Sequence, residues 1–409
     1  MSATSAHPTA HEQLVDYPME RSSACPFAPP EQLREVAARA PICRVRIWDG
    51  STPWLVSGYA QMKRLTSDPR VSVDDTLAGF PHWNAFVAQY HRPRSVFNSD
   101  GEQHSHYRRM MTKPFTVKRV NALRPAIQQI VDTKIDELLA GPNPADLVTA
   151  LAVPVPSLVI SEILGVPEQD RAYFEQEAFH ATDHEATVEE KMASARSLMD
   201  YLKNLVAAKM ASPADDHVSE LSQRVEAGEI PLEEAAYLAT GLLSAGHETT
   251  ANMIGLGTAA LLQHPEQLAL MRDSIEPEAI ASAVNELLRY LSIIHNGQRR
   301  IALADIDIDG VHIAAGEGII LDLSPANWDE TVFPDAGRLD LRRPAGNHVA
   351  FGFGPHQCVG QQLARAELQI VYPALLRRVP SLRLAIPAED IAFMYRELAF
   401  GVYSLPVTW

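Results

Sequence analysis

The chain has 409 residues, of which 46% are hydrophobic and 21% charged, and a formal net charge of −16. This is ordinary globular composition, and the acidic balance argues against a general nucleic-acid-binding protein, whose surface would be basic. Three cysteines fit a reducing cytoplasm better than a disulfide framework. No signal peptide and no apolar run of about 18 residues is evident in the sequence, so we expect neither export nor a membrane span.

The N-terminal quarter predicts a small sheet followed by a long irregular segment. Residues 1–20 are polar, and we expect them to be poorly ordered. A short helix at 31–40 precedes two strands, 42–48 and 53–57, which an Asp-Gly step joins as a hairpin. Residues 68–100 contain prolines and aromatic side chains but no periodic pattern, and a connection of this length is usually functional or disordered.

The middle of the chain is mainly helical. Helices are predicted at 103–112, 117–141, 151–165, 168–180, 188–211, 217–227, 232–263, 265–272 and 277–291. The longest of them carries Ala245-Gly246-His247-Glu248-Thr249 at its centre. Glycine costs about 1 kcal/mol relative to alanine in a helix interior, and threonine competes for backbone hydrogen bonds, so this run indicates a functional site. The small residues leave a groove, and a threonine bonded to its own helix can bend it.

Short strands and one more helix complete the pattern. Strands are predicted near 300–302, 306–313 and 318–322, with a hairpin at Asp309-Gly310. A helix follows from residue 361, and alternating runs cover 381–386, 392–398 and 402–408. No linker or internal repeat divides the chain, so we expect a single domain over residues 1–409. A helix-rich body with segregated small sheets predicts a mainly α (α+β) fold.

The segment from Phe351 to Gly360 places a cysteine, Cys358, just before a predicted helix. A thiolate at a helix N-terminus is stabilised by the unpaired N–H groups and the positive end of the dipole, and it is a good metal ligand. A zinc site needs further ligands, of which His348 and His356 supply at most two. Glycines let the backbone approach a large flat group, so the fitting metal is the iron of a haem.

The spacing Phe351-Gly352-x-Gly354-x-His356-x-Cys358-x-Gly360 resembles the haem loop of the cytochromes P450. The resemblance covers nearly the whole chain and implies the P450 fold around a buried haem b, iron protoporphyrin IX. It implies that Cys358 is the iron ligand and that Phe351 and Gly352 lie against the cofactor.

The same resemblance assigns roles to the mid-helix motif. Ala245 and Gly246 would give room for dioxygen, and Thr249 and Glu248 would deliver the protons that cleavage of the O–O bond requires. His247 is expected to point away from the pocket.

Two further groups of residues follow from the resemblance. Those that would bind the haem propionates are His104, Arg108, Arg300 and His356, the first two at i and i+4 on one helix face. The two prolines common before that histidine in the family are replaced by Gly101 and Glu102. Glu286 and Arg289 would form a structural network with a second arginine, for which Arg338 and Arg343 compete.

The substrate pocket is assigned by family geometry. Its candidate residues are Phe86, Leu243, Ile293, Ile294, His295, Asn296 and Phe393. Most are apolar, which implies a lipophilic, natural-product-like small molecule, while His295 and Asn296 would orient a polar group.

The implied activity is monooxygenation, in which one oxygen atom of O2 enters the substrate, most often as hydroxylation. The sequence has no flavin or iron–sulfur motif, so electrons would come from a ferredoxin and a ferredoxin reductase. Docking cations would be Lys113, Lys118, Arg119 and Arg365. The alternatives are a nitric-oxide-reductase-like P450 that uses NAD(P)H directly and a non-catalytic haem-binding protein. The intact Glu248-Thr249 pair favours monooxygenation.

Overall fold

The structure, a computed structural model, describes residues 14–89, 93–182 and 186–409. Its helices are α1 (Glu31–Arg39), α2 (Tyr59–Thr66), α3 (Ala85–Gln89), α4 (Gly101–Thr112), α5 (Val117–Ala140), α6 (Pro154–Leu164), α7 (Arg171–Thr182), α8 (Val188–Ala211), α9 (His217–Glu226), α10 (Leu232–Gln263), α11 (Pro265–Asp273), α12 (Pro277–Leu291), α13 (Leu323–Asn327) and α14 (Gln361–Arg378). Its strands are β1 (Val15–Asp16), β2 (Ile42–Arg46), β3 (Trp54–Val56), β4 (Val71–Ser72), β5 (Ala145–Asp146), β6 (Gln298–Ala302), β7 (Ile306–Ile308), β8 (Val311–Ile313), β9 (Gly318–Leu321), β10 (Arg383–Leu384) and β11 (Pro406–Thr408).

The strands form three small sheets beside the helical body. The largest has six strands in the order β1-β2-β3-β9-β6-β4, and the others are β10-β11-β5 and the β7-β8 hairpin. Both predicted hairpins are confirmed, since β2 pairs with β3 and β7 with β8 in antiparallel register. At the second turn Asp309 and Gly310 have φ of 49° and 83°, the left-handed conformation that this short turn requires.

The predicted weakly ordered segment, 1–20, is only partly described, because residues 1–13 lie outside the described residues. Within the remainder, β1 pairs in parallel with β2, and the Tyr17 hydroxyl donates to Asp322 at 2.8 Å. This part of the segment is therefore ordered, in contrast to the expectation, because the sheet and a buried carboxylate fix it.

The main core is formed where α10 packs against its helical neighbours. α10 contacts α6, α8 and α14, and α14 packs along α5. On α10, Gly257 provides the notch for Tyr372 of α14, whose hydroxyl donates to the Met253 carbonyl. The long central helix and the cysteine-bearing helix are therefore held at close distance. Among the described residues no helix combines the length and hydropathy needed to cross a bilayer.

Candidate active site

Cys358 lies in a tight loop that ends at the first turn of α14. Its N–H donates to the Phe351 carbonyl at 2.9 Å, which closes the loop on itself. Gly352 and Gly354 both have φ near 75°, at 73° and 75° respectively, and a Cβ on Gly354 would lie 2.6 Å from the Thr66 carbonyl oxygen. The glycines predicted from the sequence are therefore needed for the left-handed backbone and for close packing against α2.

The sulfur of Cys358 is surrounded by groups that act on it in opposite directions. Its side chain is exposed, yet neighbouring protein raises the pKa of the thiol by desolvation. The N–H groups of Gly360 and Gln361 and the charges of Arg108 and Arg365 lower the same pKa. These donors favour a thiolate, which is the form that binds iron.

Four predicted propionate ligands come together from three separate segments, and we call them the cationic collar: His104, Arg108, Arg300 and His356. The rings of His104 and His356 are 4.1 Å apart. Burial lowers the pKa of His104 to about 4, and its buried Nε2 has no hydrogen-bond partner among the described residues. The two imidazole rings, one from α4 and one from the cysteine loop, are therefore in contact, with their planes tilted by 46°.

Arg300 and Arg108 supply the positive charge of the collar. The buried Arg300 guanidinium donates to two neutral oxygens, the Arg299 carbonyl at 2.7 Å and Gln298 Oε1 at 3.3 Å. Within the described part of the chain neither arginine has a carboxylate within ion-pair distance. Burial lowers the pKa of Arg300 to about 10, which reflects that missing partner. This set of groups fits a metal porphyrin with two carboxylates. The thiol of Cys358 can bind the metal, and Arg108, Arg300 and the Nε2 atom of His104 can bind the carboxylates.

Asp100 belongs to this site, although the sequence patterns did not single it out. Its Oδ1 accepts from His356 Nε2 at 3.0 Å, and its Oδ2 accepts from Ser72 Oγ at 2.6 Å and from the Val73 N–H at 3.1 Å. It occupies the N-cap position of α4 without capping that helix. The sequence does show an aspartate just before a predicted helix, but such a residue is usually an N-cap, so its position alone does not indicate a functional role.

The predicted groove on α10 is formed around Thr249 and Gly246. Thr249 Oγ1 donates to the Ala245 carbonyl at 2.7 Å, and the Cβ position of Gly246 lies 3.5 Å from Ile160. His247 is 2% exposed and points into the core, as expected. Burial and the charge of Glu397 raise the pKa of Glu248, while Lys191 lowers it. The acid therefore retains its proton to a higher pH than an ordinary glutamate.

Two predicted pocket residues, Leu243 and Phe393, are wrong because both lie in the core. Leu243 is 3% exposed, whereas its neighbours Ser244 and Ala245 on α10 are exposed. Phe393 is 8% exposed and stacks on Phe400 with ring centroids 5.8 Å apart. Helical periodicity explains the first error, since each step along a helix turns the side chain by about 100° and Leu243 therefore lies off the face that carries Gly241, Ala245 and Thr249.

His295 is also corrected, because the fold uses both of its ring nitrogens. Nδ1 accepts from Arg21 Nε at 3.4 Å, and Nε2 lies 2.9 Å from the Glu397 carbonyl. The Asn296 amide donates to the same carbonyl at 2.9 Å. His295 therefore holds two segments together and does not orient a ligand, and the amide N–H of Asn296 is committed as well.

Ile293, Ile294 and Phe86 remain predicted pocket residues. Ile293 packs against the main core, and Ile294 forms an isolated bridge with Ala399. Phe86 is 60% exposed on α3.

Phe97 and Gly241 lie beside the groove, and neither was predicted from the sequence. The ring of Phe97 lies 3.4 Å from the ideal Cβ position of Gly241, two turns before Thr249 on α10. Steps of four and eight residues back from Thr249 give Ala245 and Gly241, so the helical spacing could have found this position.

The glutamate–arginine network resolves the choice between two arginines. Arg289 donates to both oxygens of Glu286, at 2.7 and 2.8 Å, and Arg343 Nε donates to Oε1 at 3.1 Å. Arg338 contributes its backbone carbonyl, which accepts from Arg343 at 3.1 Å. Arg343 is therefore the second arginine, and the assignment of Arg338 is wrong because its side chain does not enter the network.

Three of the four predicted docking cations already have partners. Lys113 pairs with Glu220, Arg119 pairs with Asp215 through both terminal nitrogens at 2.7 Å, and Arg365 donates to Asn285 Oδ1 at 2.9 Å. Next to them is a surface groove of about 720 Å³ whose lining includes Arg108, Arg109, Thr112, Lys113 and Gly354.

Comparisons with known proteins agree with this geometry. The family model described as Cytochrome P450 matches residues 168–382. Over the full length of both chains the sequence is 59% identical to cytochrome P450 CYP105Q4 of Mycobacterium marinum. It is 51% identical to cytochrome P450 GfsF of Streptomyces halstedii over 97% of each chain. The crystal structure of GfsF matches with a TM-score of 0.93, covering 97% of this chain and 100% of that one.

A third relative has been solved with a ligand. The mycinamicin VIII C21 methyl hydroxylase of Micromonospora griseorubida is 41% identical over 97% of this chain and 100% of its own. Its crystal structure, described as bound to mycinamicin VIII, matches with a TM-score of 0.85, at 40% identity and with 97% and 100% coverage.

Proposed function

We propose that this chain, which belongs to the cytochrome P450 family, hydroxylates a bulky lipophilic natural product with electrons from a ferredoxin and its reductase. Family membership makes it a haem monooxygenase that uses O2 and external redox partners. The proposal extends this to a substrate class, an electron donor and roles for individual residues. The observation that carries it is the arrangement of an accessible cysteine, Cys358, beside a collar whose two arginines have no carboxylate partner among the described residues.

Haem, when bound, would supply the iron that activates dioxygen, and Cys358 would supply its thiolate ligand. The chain would hold it through Cys358 on one side and through the cationic collar at its carboxylates. Asp100 would orient His356, and the loop glycines would admit the flat ring system. The backbone donors of Gly360 and Gln361 would partly offset the desolvation that raises the pKa of the thiol, and would so favour its anionic form.

Two side chains of α10 would manage protons. The Thr249 hydroxyl donates to its own helix, so its oxygen lone pairs remain able to accept from water in the groove. Glu248 has a raised pKa and retains its proton to a higher pH than an ordinary glutamate, so it can donate that proton into the groove. Because the groove is lined by small residues, the two groups remain accessible to water and to a substrate.

The substrate class rests on the relatives and on the lining of the groove. One relative is named for hydroxylating mycinamicin VIII. In this chain Gly241, Ser244 and Ala245 leave the α10 face free of bulky side chains, and Phe97 closes it from the other side. A large, mainly apolar molecule fits such a surface better than a small polar one.

The redox partner would dock at the groove beside Arg108, Arg109 and Lys113. An acidic ferredoxin would be attracted to a basic groove, and this attraction would raise the association rate. We expect both proteins in the cytoplasm.

The iron ligand is tested by Cys358→Ser. The reduced wild-type protein with carbon monoxide should give the red-shifted Soret band of thiolate haem, and the variant should bind haem without that band. An unchanged spectrum in the variant would exclude Cys358 as the ligand.

The electron donor is tested by reduction kinetics. Purified holoenzyme should be reduced under carbon monoxide by NADPH with a ferredoxin and ferredoxin reductase, and not by NADH or NADPH alone. Direct reduction by the nucleotide, with nitric oxide consumed, would instead support the nitric-oxide-reductase alternative. Arg109→Glu should slow reduction by ferredoxin, and reversal of an exposed distant charge, Arg383→Glu, serves as the control.

A further inference from the structure

Arg299 is a buried cation on the outer face of the six-stranded sheet. It follows Gln298 and precedes Arg300 on β6, and successive side chains of a strand point to opposite faces. It therefore points away from the cationic collar. Its register partner on β9 is Ile320, which belongs to a small apolar cluster with Tyr17 on this face. Only 3% of Arg299 is exposed.

The guanidinium lies near two aromatic rings, and two of its nitrogens lack a hydrogen-bond partner among the described residues. Its centre is 5.4 Å from the Tyr17 ring and 5.7 Å from the Trp83 ring. Over the described ranges, Arg299 Nε and Nη1 and the indole N–H of Trp83 are buried without a partner. This cluster thus contains three buried donors for which the described part of the chain supplies no acceptor.

The charge around these donors is unbalanced as well. Arg21, buried nearby, contributes a second guanidinium, and Asp322 is the buried carboxylate that acts electrostatically on both arginines. Asp322 accepts from the Tyr17 hydroxyl and from Ser324, and in the described structure it makes no ion pair with either arginine. Burial of an unpaired charge costs several kcal/mol, so an anion would stabilise this cluster. Water could satisfy the donors but would leave the charge uncompensated.

We propose that Arg299, with Trp83 and Arg21, forms a binding site for the carboxylate of an acidic organic ligand. A carboxylate can accept charge-assisted hydrogen bonds from a guanidinium N–H and from the indole N–H of Trp83. The flanking Tyr17 and Trp83 rings would cover an attached organic chain, which a hydrated inorganic ion does not have. Trp83 is partly exposed, so the site borders the surface.

The site also lies next to residues 295–298, the segment that leads into β6. Arg21 bonds His295, and the adjoining Asn296 is three residues before Arg299. A ligand held here by its carboxylate would extend along this segment, separately from the haem propionates.

The experiment compares two ligands of equal chain length, octanoate and 1-octanol, by calorimetric titration of the holoenzyme. The wild type should prefer octanoate by about tenfold, the difference expected for charged hydrogen bonds. Arg299→Met should abolish the preference and Arg299→Lys should retain part of it. Trp83→Phe keeps an aromatic ring and removes one donor, so it should reduce octanoate affinity severalfold even if Arg299→Met does not fold.

A matched control is Arg44→Met on the same sheet. Arg44 stacks on Trp54 at 3.9 Å but is paired with Glu317, so its loss should leave the preference unchanged. Equal binding of the two ligands by the wild type would overturn the proposal, as would a preference that survives both Arg299→Met and Trp83→Phe. If chloride at ordinary ionic strength displaced octanoate, the site would bind simple anions and the proposal of a carboxylate site would be wrong. The measurement is of binding heat, so its failure leaves the proposed monooxygenase reaction untouched.

Discussion

At the scale of single residues, Thr249 is the side chain in the groove to which we assign a role in proton delivery. Thr249→Ala should bind substrate normally but divert electrons from product to hydrogen peroxide, lowering product per electron by about tenfold because general-acid assistance is lost. Product, peroxide and nucleotide consumption in the ferredoxin-coupled reaction measure this. Thr250→Ala, at a buried position one residue further, is the control. Equal coupling in Thr249→Ala and the wild type would contradict the proton role.

Glu367 is a residue whose burial makes stability depend on pH. It lies on α14, its Oε2 has no hydrogen-bond partner in the described structure, and burial raises its pKa to about 8. The folded state therefore holds a proton that the unfolded state releases near pH 4.5. The stabilising effect of that proton is fully present below the unfolded pKa and is lost as pH rises through the folded pKa.

Glu367→Gln should remove this dependence. Between about pH 5 and 8 the wild type should lose stability relative to the variant by roughly 1.4 kcal/mol per pH unit. Denaturant unfolding of the holoenzyme across that range measures the difference, with the exposed Glu330→Gln as the control. Parallel pH profiles for the wild type and Glu367→Gln would show that the carboxyl is ionised in the folded protein.

At the scale of elements, the contact of α10 with α14 depends on one glycine. A Cβ on Gly257 would lie 2.0 Å from Tyr372 Oη and 2.7 Å from its Cζ. Gly257→Ala should therefore destabilise the protein by about 1–3 kcal/mol, as overpacking in a core does. Urea unfolding midpoints measure this loss. Gly346→Ala, where a Cβ meets open space, should change the midpoint little, and equal midpoints for both variants would show that the helices separate without cost.

Elements also show how far sequence alone could reach. The helices, both hairpins and the cysteine loop could be predicted, because glycine, Asp-Gly steps and apolar spacing act over a few residues. The roles of His295 and Asp100 could not, because their partners are distant in the chain: Arg21 is 274 residues from His295 and Asp100 is 256 residues from His356. Leu243 failed for a third reason, since a shift of one position on a helix exchanges the groove face for the core face.

At the scale of the whole molecule, the buried Glu286 network connects α12 to the segment that precedes the cysteine loop. Removing one member leaves buried charge unpaired and costs about 3–5 kcal/mol. Arg343→Met should therefore give protein with less haem per chain and a lower unfolding midpoint, whereas Arg338→Met should match the wild type. Absorbance per polypeptide and denaturation of both variants test this. Loss of haem in Arg338→Met alone would reverse the assignment.

The separation of faces on α10 has a practical consequence for laboratory evolution. Gly241, Ser244 and Phe97 can be randomised to change which compounds are accepted, because none of them supports the hydrophobic interior. A library placed at Leu243 or Phe393 would instead yield mostly insoluble clones. Substitutions at the first set of positions therefore alter specificity at little cost in stability, whereas substitutions at the second set disrupt the core.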